Sequence, residues 1–383
     1  MHRGGRTIAI LQFSCGFRLV YKPRGHSVDV HFGEFLEWVN GAGFETPFRV
    51  LKVIDRGDYG WSEFVARESC SSRAQVERFY LRLGGYLAVF FTLRATDMHF
   101  ENLLAAGEFP VPVDVETLFH ADVERKDDAA VCAFQSSVMR TLLLPNRAFG
   151  SKTGEGTDLS GFGARSGQPN PLRMSRCWDN DGTDEMRLVF GGNPSLVAAN
   201  CPILEGREVV AGEYVEVFVR GFEWVYRLIH ARRNELQAAG GLLDRFGPDE
   251  VRFVARGTSA YNVLLQACRH PDQLRSALDR DRTLDRLRMD ASHLRLMPAE
   301  VRHLQAGDIP AFASRPNSRD LWTWDGEHIP QFFERPSMEA VREGLARMGE
   351  KDLARQVAYI RAAIASGGAN PKDLDNSARE KIS

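Results

Sequence analysis

Hydrophobic and polar positions at the start of the chain form short runs that are typical of strands, followed by helical spacing. Thr7–Phe13 and Phe17–Lys22 are rich in β-branched and aromatic residues, and a short turn containing glycine separates them. They predict a hairpin that ends at Pro23, because proline cannot donate to a strand ladder. Apolar residues from 28 to 39 recur three to four positions apart, which predicts a helix.

The next apolar runs extend this pattern to a small sheet and a long helix. Phe48–Ile54 and Trp61–Val65 predict a second hairpin, so the first 66 residues are expected to form a small sheet with one helix. A long helix is predicted from Ser71, as N-cap, to near Arg94, with a kink at Gly84–Gly85.

The remainder of the chain predicts one edge strand, one long loop and a mostly helical second half. Val111–Val115 contains a proline, which fits an edge strand. Residues 149–184 are rich in Gly, Ser, Asp and Pro, and loops of this length are usually functional or mobile. Residues 369–383 have little apolar content and predict a frayed tail. Helices are predicted at Tyr214–Gln237, Ser259–Cys268, Gln273–Leu287, Met338–Met348 and Lys351–Ile364.

Composition narrows the class of protein. The chain has 383 residues, 43% of them hydrophobic, which suffices for about two to three domains of roughly 150 residues. Its 49 basic and 51 acidic residues give a net charge of -2, which argues against a nucleic-acid partner. No apolar run approaches the roughly 18 residues of a membrane span. Six scattered cysteines without a signal-like start predict reduced thiols and a cytoplasmic protein, without a structural zinc site.

One polar cluster carries residues suited to phosphoryl transfer. Asp97 is followed five residues later by Asn102, and Asp114 follows a short β-like run. This is the order of kinase sites, in which the first Asp orients or deprotonates the attacking hydroxyl while Asn and the second Asp hold Mg²⁺. Lys22 ends an upstream strand, where a kinase places its phosphate-binding lysine. Each feature also has an ordinary explanation, since a strand-end lysine is often only solvated and an acid after a strand is often a helix cap.

The residue identities within the motifs are more specific than the order of the motifs along the chain. Five co-linear segments closely resemble the dehydratase domain of class II lanthipeptide synthetases, the LanM type: Leu19–Arg24, Asp58–Phe64, Phe79–Gly84, Ala95–Ala105 and Val113–Phe119. The resemblance continues through Asp158–Gly163, Gly182–Glu185, Arg252–Tyr261 and Gly307–Phe312. It therefore covers nearly the whole chain.

The resemblance implies an α+β fold similar to lipid and protein kinases, with a truncated small β-rich lobe and a large, mostly helical lobe. It divides the chain into a partial kinase-like N-lobe (1–66), a catalytic core with a metal-binding segment (67–147), a Gly/Ser-rich activation-type loop region (148–213), a helical C-lobe with an elimination motif (214–366) and a flexible tail (367–383).

The same resemblance implies a two-step reaction that uses ATP and Mg²⁺. The substrate would be a ribosomally made precursor peptide, with a leader and a Ser/Thr-rich core. Phosphorylation of a Ser or Thr hydroxyl would be followed by loss of the α-proton and of phosphate, which leaves dehydroalanine or dehydrobutyrine.

Site residues follow from the family motifs, position by position. Lys22 resembles the phosphate-binding lysine, Asp97 the residue that positions or deprotonates the hydroxyl, and Asn102 with Asp114 the Mg²⁺ ligands. His99 and Glu116 would support the phosphates or the metal shell. Arg252 and Thr258 resemble the family's elimination pair, because a guanidinium binds a leaving phosphate bidentately and a hydroxyl donates to it. Without the resemblance these two would be interpreted as a surface charge and a helix N-cap.

The chain departs from the family pattern at both ends. The family has an Asp two positions before the residue that corresponds to His2, and a zinc-binding cyclase domain beyond the position of Ser383. We therefore expect a fragment of a larger enzyme that works beside a separate cyclase, although the start also fits an ordinary edge strand. Two alternatives stay open: a fragment that only phosphorylates, and an inactive remnant that binds peptide.

Overall fold

The structure is a computed structural model that describes residues 3–123, 128–148, 156–170, 176–180, 183–185, 187–190, 195–209 and 211–368. Several sequence predictions fall on residues outside these ranges. They concern His2, residues 154–155 of the glycine-rich loop, Gly182 and the tail from residue 369 onward. For those residues the predictions above stay predictions.

Helices form where apolar residues recur at a spacing of three to four. Within the described residues they are α1 (Ser27–Gly41), α2 (Arg73–Thr92), α3 (Ala129–Gln135), α4 (Val215–Ala231), α5 (Arg233–Leu236), α6 (Leu242–Arg245), α7 (Thr258–Cys268), α8 (Ala277–Leu284), α9 (Met297–Gln305), α10 (Ser337–Arg347) and α11 (Glu350–Gly368). Among these described helices, none combines the length and the apolar character that crossing a membrane requires.

Strands form two four-stranded antiparallel sheets and several two-stranded pairs. The first sheet contains β1 (Ala9–Gln12), β2 (Arg18–Lys22), β3 (Val53–Asp55) and β4 (Gly60–Glu63) in the order β1-β2-β4-β3. The pairs are β5 (Leu103–Ala106) with β6 (Phe109–Pro112), β7 (Arg147–Ala148) with β8 (Thr157–Asp158), β9 (Arg176–Asp179) with β10 (Arg187–Phe190), and β11 (Ile203–Leu204) with β12 (Arg207–Glu208). The second sheet orders β13 (Val251–Phe253), β14 (Phe312–Ser314), β15 (Leu321–Thr323) and β16 (His328–Ile329) consecutively.

The first sheet largely confirms the N-terminal predictions. Hairpin β1–β2 pairs Ala9 with Tyr21 and leaves Lys22 at the end of β2. Helix α1 covers the predicted helical segment and buries the predicted apolar side. The strand predicted at 48–54 is wrong in extent, because only its last two residues belong to β3.

The largest hydrophobic core lies around the crossing of α2 and α4. Gly84 and Gly221 face the opposite backbones, and a Cβ on either would lie 1.9 Å from the carbonyl oxygen of Phe218 or Leu81, respectively. The predicted kink at Gly84–Gly85 is therefore wrong: α2 runs through both glycines, and their lack of side chains permits the close approach. Ser72, rather than Ser71, caps α2, and its side chain accepts from the amide of Gln75.

The C-terminal half contains structure that the helical pattern does not predict. Strands β13–β16 are two or three residues long, too short for an alternating pattern to emerge. Helix α9 is likewise absent from the predictions. The helix predicted at 273–287 is wrong as one element, since α8 is flanked by 3₁₀ turns at Pro271–Leu274 and Asp285–Met289.

Candidate active site

Hairpin β5–β6 brings the predicted metal ligands to one place. Leu103 pairs with Pro112, and the amide of Val113 donates to the carbonyl oxygen of Asn102 at 3.0 Å. Asn102 therefore precedes β5 where Asp114 follows β6, at the same open end of the hairpin. A separation of twelve residues in sequence thus becomes adjacency in space.

The loop that carries Asp97 has an unusual backbone held by hydrogen bonds. Asp97 has a φ of 63°, a left-handed conformation that costs a non-glycine residue free energy and is concentrated at functional sites. The side-chain amide of Asn102 donates to the Asp97 carbonyl oxygen at 2.8 Å. Segment 158–163 supports the same loop, because the amide of Gly161 donates to the carbonyl oxygen of Met98 at 3.1 Å. The strained position is therefore fixed from both sides.

His99 lies beside the Asp97 carboxylate in a defined orientation. Its Nδ1 accepts from the amide of Glu101 at 3.2 Å, so in the neutral ring the proton resides on Nε2. That Nε2 lies 3.7 Å from Asp97 Oδ1. The ring is thus positioned to present an N–H toward the same space that the Asp97 carboxylate faces.

Burial raises the pKa of Asp97 above its ordinary value, although the charges of His99 and Arg252 act in the opposite direction. A carboxylate whose pKa is raised toward neutrality is a better proton acceptor than an ordinary one. Asp97 is therefore chemically suited to take a proton from a hydroxyl.

Lys22 is buried and aimed at the segment that follows β6. Its Nζ donates to the carbonyl oxygen of Val113 at 2.5 Å and lies 4.0 Å from Asp114 Oδ1. Burial alone would raise the pKa of Asp114, but the charges of Lys22 and Arg24 outweigh it and hold that pKa below its ordinary value. Asp114 is therefore ionised, as a metal ligand must be.

The predicted elimination pair is close together and is joined to Glu116. Arg252 lies on β13, and its Nη2 donates to Thr258 Oγ1 at 3.3 Å. Its Nη1 lies 2.8 Å from Glu116 Oε1, and its backbone amide donates to the Glu116 carbonyl oxygen at 2.6 Å. Arg252 is half-buried rather than a free surface charge, and Thr258 is the first residue of α7 rather than its cap.

The structure adds two residues that the sequence analysis did not single out, Arg24 and Asp29. The Arg24 guanidinium contacts Asp29, Asp114 and Glu116, while Asp29 lies in the first turn of α1. Arg24 lies within the motif Leu19–Arg24, two residues after Lys22, and this proximity is the local signal that points to it. Asp29 has no comparable local signal.

Part of this set lines a cleft of about 280 Å³, whereas Asp97, His99, Asn102 and Thr258 are not among its lining residues. Its lining includes Lys22, Arg24, Asp114, Glu116 and Arg252. Residues 6–8, just before β1, complete one wall. The cleft therefore brings residues from the first sheet, from the segment after β6 and from β13 to one space.

The donor set fits Mg²⁺, although the described residues contain no cluster of three or more His, Cys, Asp or Glu arranged as a metal site. Proteins often hold Mg²⁺ through one or two carboxylates, with water and substrate phosphates completing the octahedron. Within the described residues, Asn102 contacts its neighbours through Nδ2, and Asp114 contacts its neighbours through Oδ1. Asn102 Oδ1 and Asp114 Oδ2 thus remain as the hard oxygen donors.

Comparison with known proteins defines the family. Residues 1–315 match the family model described as Domain of unknown function (DUF4135), well over half of the chain, so the chain belongs to this family.

A particular relative is the lacticin 481/lactococcin biosynthesis protein LcnDR2 of Lactococcus lactis subsp. lactis. It is 26% identical over 390 residues, which cover 96% of this chain and 40% of LcnDR2. The chain thus spans less than half the length of that relative. Together the two comparisons confirm the resemblance to class II lanthipeptide synthetases that the motifs predict.

Proposed function

We propose that this chain is the dehydratase region of a lanthipeptide synthetase. It would phosphorylate Ser and Thr side chains of a precursor peptide with ATP and then eliminate phosphate to give dehydroalanine or dehydrobutyrine. The similarity to LcnDR2, a lacticin 481/lactococcin biosynthesis protein, supports peptide modification as the general role. The two-step chemistry rests on the geometry of the cleft.

The observation that carries the proposal is the position of Glu116 between two groups of residues. Its Oε2 lies 3.2 Å from Arg24 Nε, on the side of Asp114, and its Oε1 lies 2.8 Å from Arg252 Nη1, beside Thr258. The residues suited to phosphoryl transfer and those suited to binding a leaving phosphate therefore meet at one carboxylate. A single bound peptide side chain could be acted on twice without leaving the cleft.

In the first step, Asp97 would orient the peptide hydroxyl and accept its proton, with His99 Nε2–H beside it. Mg²⁺-ATP, when bound, supplies the phosphoryl group and a divalent charge for it. Lys22 and Glu116 would help to bind the nucleotide, Lys22 by offsetting phosphate charge, and Asn102 with Asp114 would hold the cation. The ionised state of Asp114 and the raised pKa of Asp97 support this division of roles.

In the second step, a base takes the α-proton, the Cα–H electron pair forms the Cα–Cβ double bond, and phosphate leaves with the electron pair of the Cβ–O bond. Arg252 presents a planar guanidinium and Thr258 a hydroxyl within 3.3 Å of each other. A guanidinium can bind two phosphate oxygens at once, which stabilises the departing charge. Arg252 and Thr258 would therefore act on the leaving group rather than on the nucleotide.

A kinase-like, two-lobed fold is part of the proposal. It is supported by the small antiparallel sheet that ends in Lys22, by the order of Asp97, Asn102 and Asp114, and by the helices α4–α11 that follow. In this interpretation residues 1–66 form the small lobe and 214–366 the large one. The enzyme and its precursor peptide would meet in the cytoplasm.

A reconstituted reaction tests the proposal. The chain is incubated with Mg²⁺, ATP and a lacticin-type precursor peptide, and the products are examined by mass spectrometry. Loss of one water per modified residue is expected, and Thr258→Ala should instead accumulate phosphopeptide. Accumulation of phosphopeptide by the wild-type chain would favour a kinase-only role. Absence of nucleotide binding in calorimetry would favour a peptide-binding role without catalysis.

A further inference from the structure

Arg24 is a buried cation that contacts three carboxylates of different segments. Its Nη1 lies 2.6 Å from Asp29 Oδ2 on α1, its Nη2 lies 2.9 Å from Asp114 Oδ1, and its Nε lies 3.2 Å from Glu116 Oε2. Only 7% of the residue is exposed. Asp29 receives both Nη1 and Nη2, Nη2 also reaches Asp114, and Nε faces Glu116, so the N–H groups of one guanidinium contact all three acids.

The support behind Arg24 is built into α1 and the first sheet. Asp29 is also approached by His26, whose Nδ1 lies 3.1 Å from Asp29 Oδ2. The His26 ring occupies the space beside Gly60 on β4, where an added Cβ would lie 2.0 Å from the ring. The backbone amide of His26 donates to Asp55 Oδ1 at 2.8 Å. Arg24 is therefore oriented by a chain of contacts that runs away from the cleft.

The two acids on the cleft side belong to different half-reactions of the proposed function. Asp114 is the proposed cation ligand for phosphoryl transfer. Glu116 also holds Arg252, a residue proposed to bind the leaving phosphate, at 2.8 Å. Among the described residues, Arg24 is the side chain that contacts both Asp114 and Glu116.

We propose that Arg24 is a positioning residue for both half-reactions: it fixes Asp114 for phosphoryl transfer and, through Glu116, fixes Arg252 for elimination. The proposal rests on the proposed function for its two activity readouts. It requires arginine, because only a planar guanidinium directs separate N–H groups at three acids, whereas a lysine ammonium acts as a compact point charge.

The test compares Arg24→Lys with Arg18→Lys, the same exchange at an arginine of the preceding strand β2. Arg18 lies over the Phe64 ring at 3.8 Å and is exposed outside the cleft. Phosphorylation is measured with unmodified precursor peptide, and elimination separately with a synthetic phosphopeptide. Arg24→Lys should lower both rates roughly 10- to 100-fold, since small misplacements of catalytic groups have effects of this size. Arg18→Lys should leave both unchanged, and loss of only one rate, or of neither, in Arg24→Lys would overturn the proposal.

Hydrogen–deuterium exchange gives a readout that does not depend on activity. The amide of Glu116 donates to Asp114 Oδ1 at 3.3 Å, and the amide of Arg252 donates to the Glu116 carbonyl oxygen at 2.6 Å. Arg24→Lys should speed exchange in peptides that contain these two amides, and Arg18→Lys should not. Unchanged exchange would overturn the positioning role. If the wild-type chain is inactive but Arg24→Lys still speeds exchange at these amides, the result contradicts the proposed function and leaves the positioning role of Arg24 intact.

Asp29→Asn provides a second variant if Arg24→Lys does not fold. Without the Asp29 charge, Arg24 interacts more strongly with Asp114 and competes with a cation there. Mg²⁺ binding, measured by calorimetry with a non-hydrolysable ATP analogue, should weaken roughly tenfold, the effect of about one pKa unit of interaction. Undiminished Mg²⁺ affinity in a folded Asp29→Asn variant would count against the role of Arg24 at Asp114.

Discussion

Two clusters of arginine and acid lie beside β13, and they differ in charge balance. In the first cluster, at the cleft, three cations, Lys22, Arg24 and Arg252, are outnumbered by the acids around them, which are Asp29, Asp97, Asp114 and Glu116. In the second cluster Arg94 and Arg140 share one acid, Asp122, at 2.5 and 3.5 Å. This second cluster adjoins a cavity of about 690 Å³ lined by Arg94, His120 and Asp122.

The consequences for ionisation are opposite. Burial and, next, the nearby charge of Arg94 together lower the pKa of Arg140 to about 9. Burial, then the charge of Arg140, lowers the pKa of His120 to about 3, and its neutral Nε2 accepts from the amide of Val254 at 3.1 Å. Where acids outnumber cations, carboxylate oxygens remain available to bind a further cation. Where arginines outnumber acids, the carboxylate is already paired with them. The comparison supports the proposed catalytic role of the first cluster and a structural role of the second cluster beside β13.

Asp114→Asn should have the largest effect. Replacing the ionised oxygen donor removes the charge that holds the cation, so phosphorylation of the precursor peptide should fall on the order of 10³-fold. Phosphopeptide formation, followed by mass spectrometry, measures it. Asp122→Asn is the matched control from the second cluster and should retain activity when assayed below its unfolding temperature. Equal losses of phosphorylation in Asp114→Asn and Asp122→Asn would show that the two clusters do not differ in function.

Arg252→Lys should lower elimination by about 10²-fold, because an ammonium cannot bind two phosphate oxygens side by side. Phosphopeptide should then accumulate while phosphorylation continues. Thr258→Ser keeps the hydroxyl and should retain elimination, which separates loss of a donor from general disruption of α7. Phosphate release from a synthetic phosphopeptide measures both variants, and normal release by Arg252→Lys would remove it from the elimination site.

Asp122→Asn should reduce stability rather than change the products. It leaves the Arg94 and Arg140 guanidinium groups without their shared acid, at a cost of about 1–3 kcal/mol, because the Asp122 side chain is 38% exposed and its charge is partly screened. Urea unfolding measures the difference. Asp179→Asn, which removes an exposed pair with Arg187, should cost less than about 0.5 kcal/mol. Equal costs would show that the second cluster is no more structural than a surface pair.

The smallest expected effect is a gain in stability from Asp97→Asn. The raised pKa of Asp97 means that ionisation opposes folding, so the wild-type chain loses stability as the pH rises from about 3.9, the unfolded-state value, through the folded-state pKa. Asparagine carries no such charge and tolerates the left-handed φ. The variant should gain about 0.5–1 kcal/mol near neutral pH and nothing at acid pH. Urea unfolding at both pH values tests this, and a gain independent of pH would contradict it.

From the sequence one can predict the helices and strands whose apolar residues recur regularly, and the site residues that lie in motifs of specific residue identity. Helices α1, α2 and α11 and hairpin β1–β2 follow from spacing alone. The structure brings the eight predicted site residues into three groups rather than into one continuous set of contacts. These groups are Lys22 with Asp114, Asp97 with Asn102 and His99, and Arg252 with Glu116 and Thr258.

Other features have no local signal. The contact between Arg24 and Asp114 joins residues 90 positions apart, and that between Glu116 and Arg252 joins residues 136 apart. Strands as short as β13 gain stability from tertiary pairing rather than from their own pattern. Gly84 and Gly85 show the opposite situation, in which a local rule makes a prediction that tertiary packing overrides. The rule predicts a kink there, but α2 continues, and the missing side chains leave room for neighbouring parts of the core.

The crossing of α2 and α4 also limits how the protein can move. With backbone facing backbone at Gly84 and Gly221, sliding one helix along the other would drive neighbouring side chains into carbonyl groups. Helix α2 leads directly through residues 93–96 to Asp97, so this loop is anchored to the helical core. The close contact between the two helices therefore fixes the point from which the Asp97 loop departs.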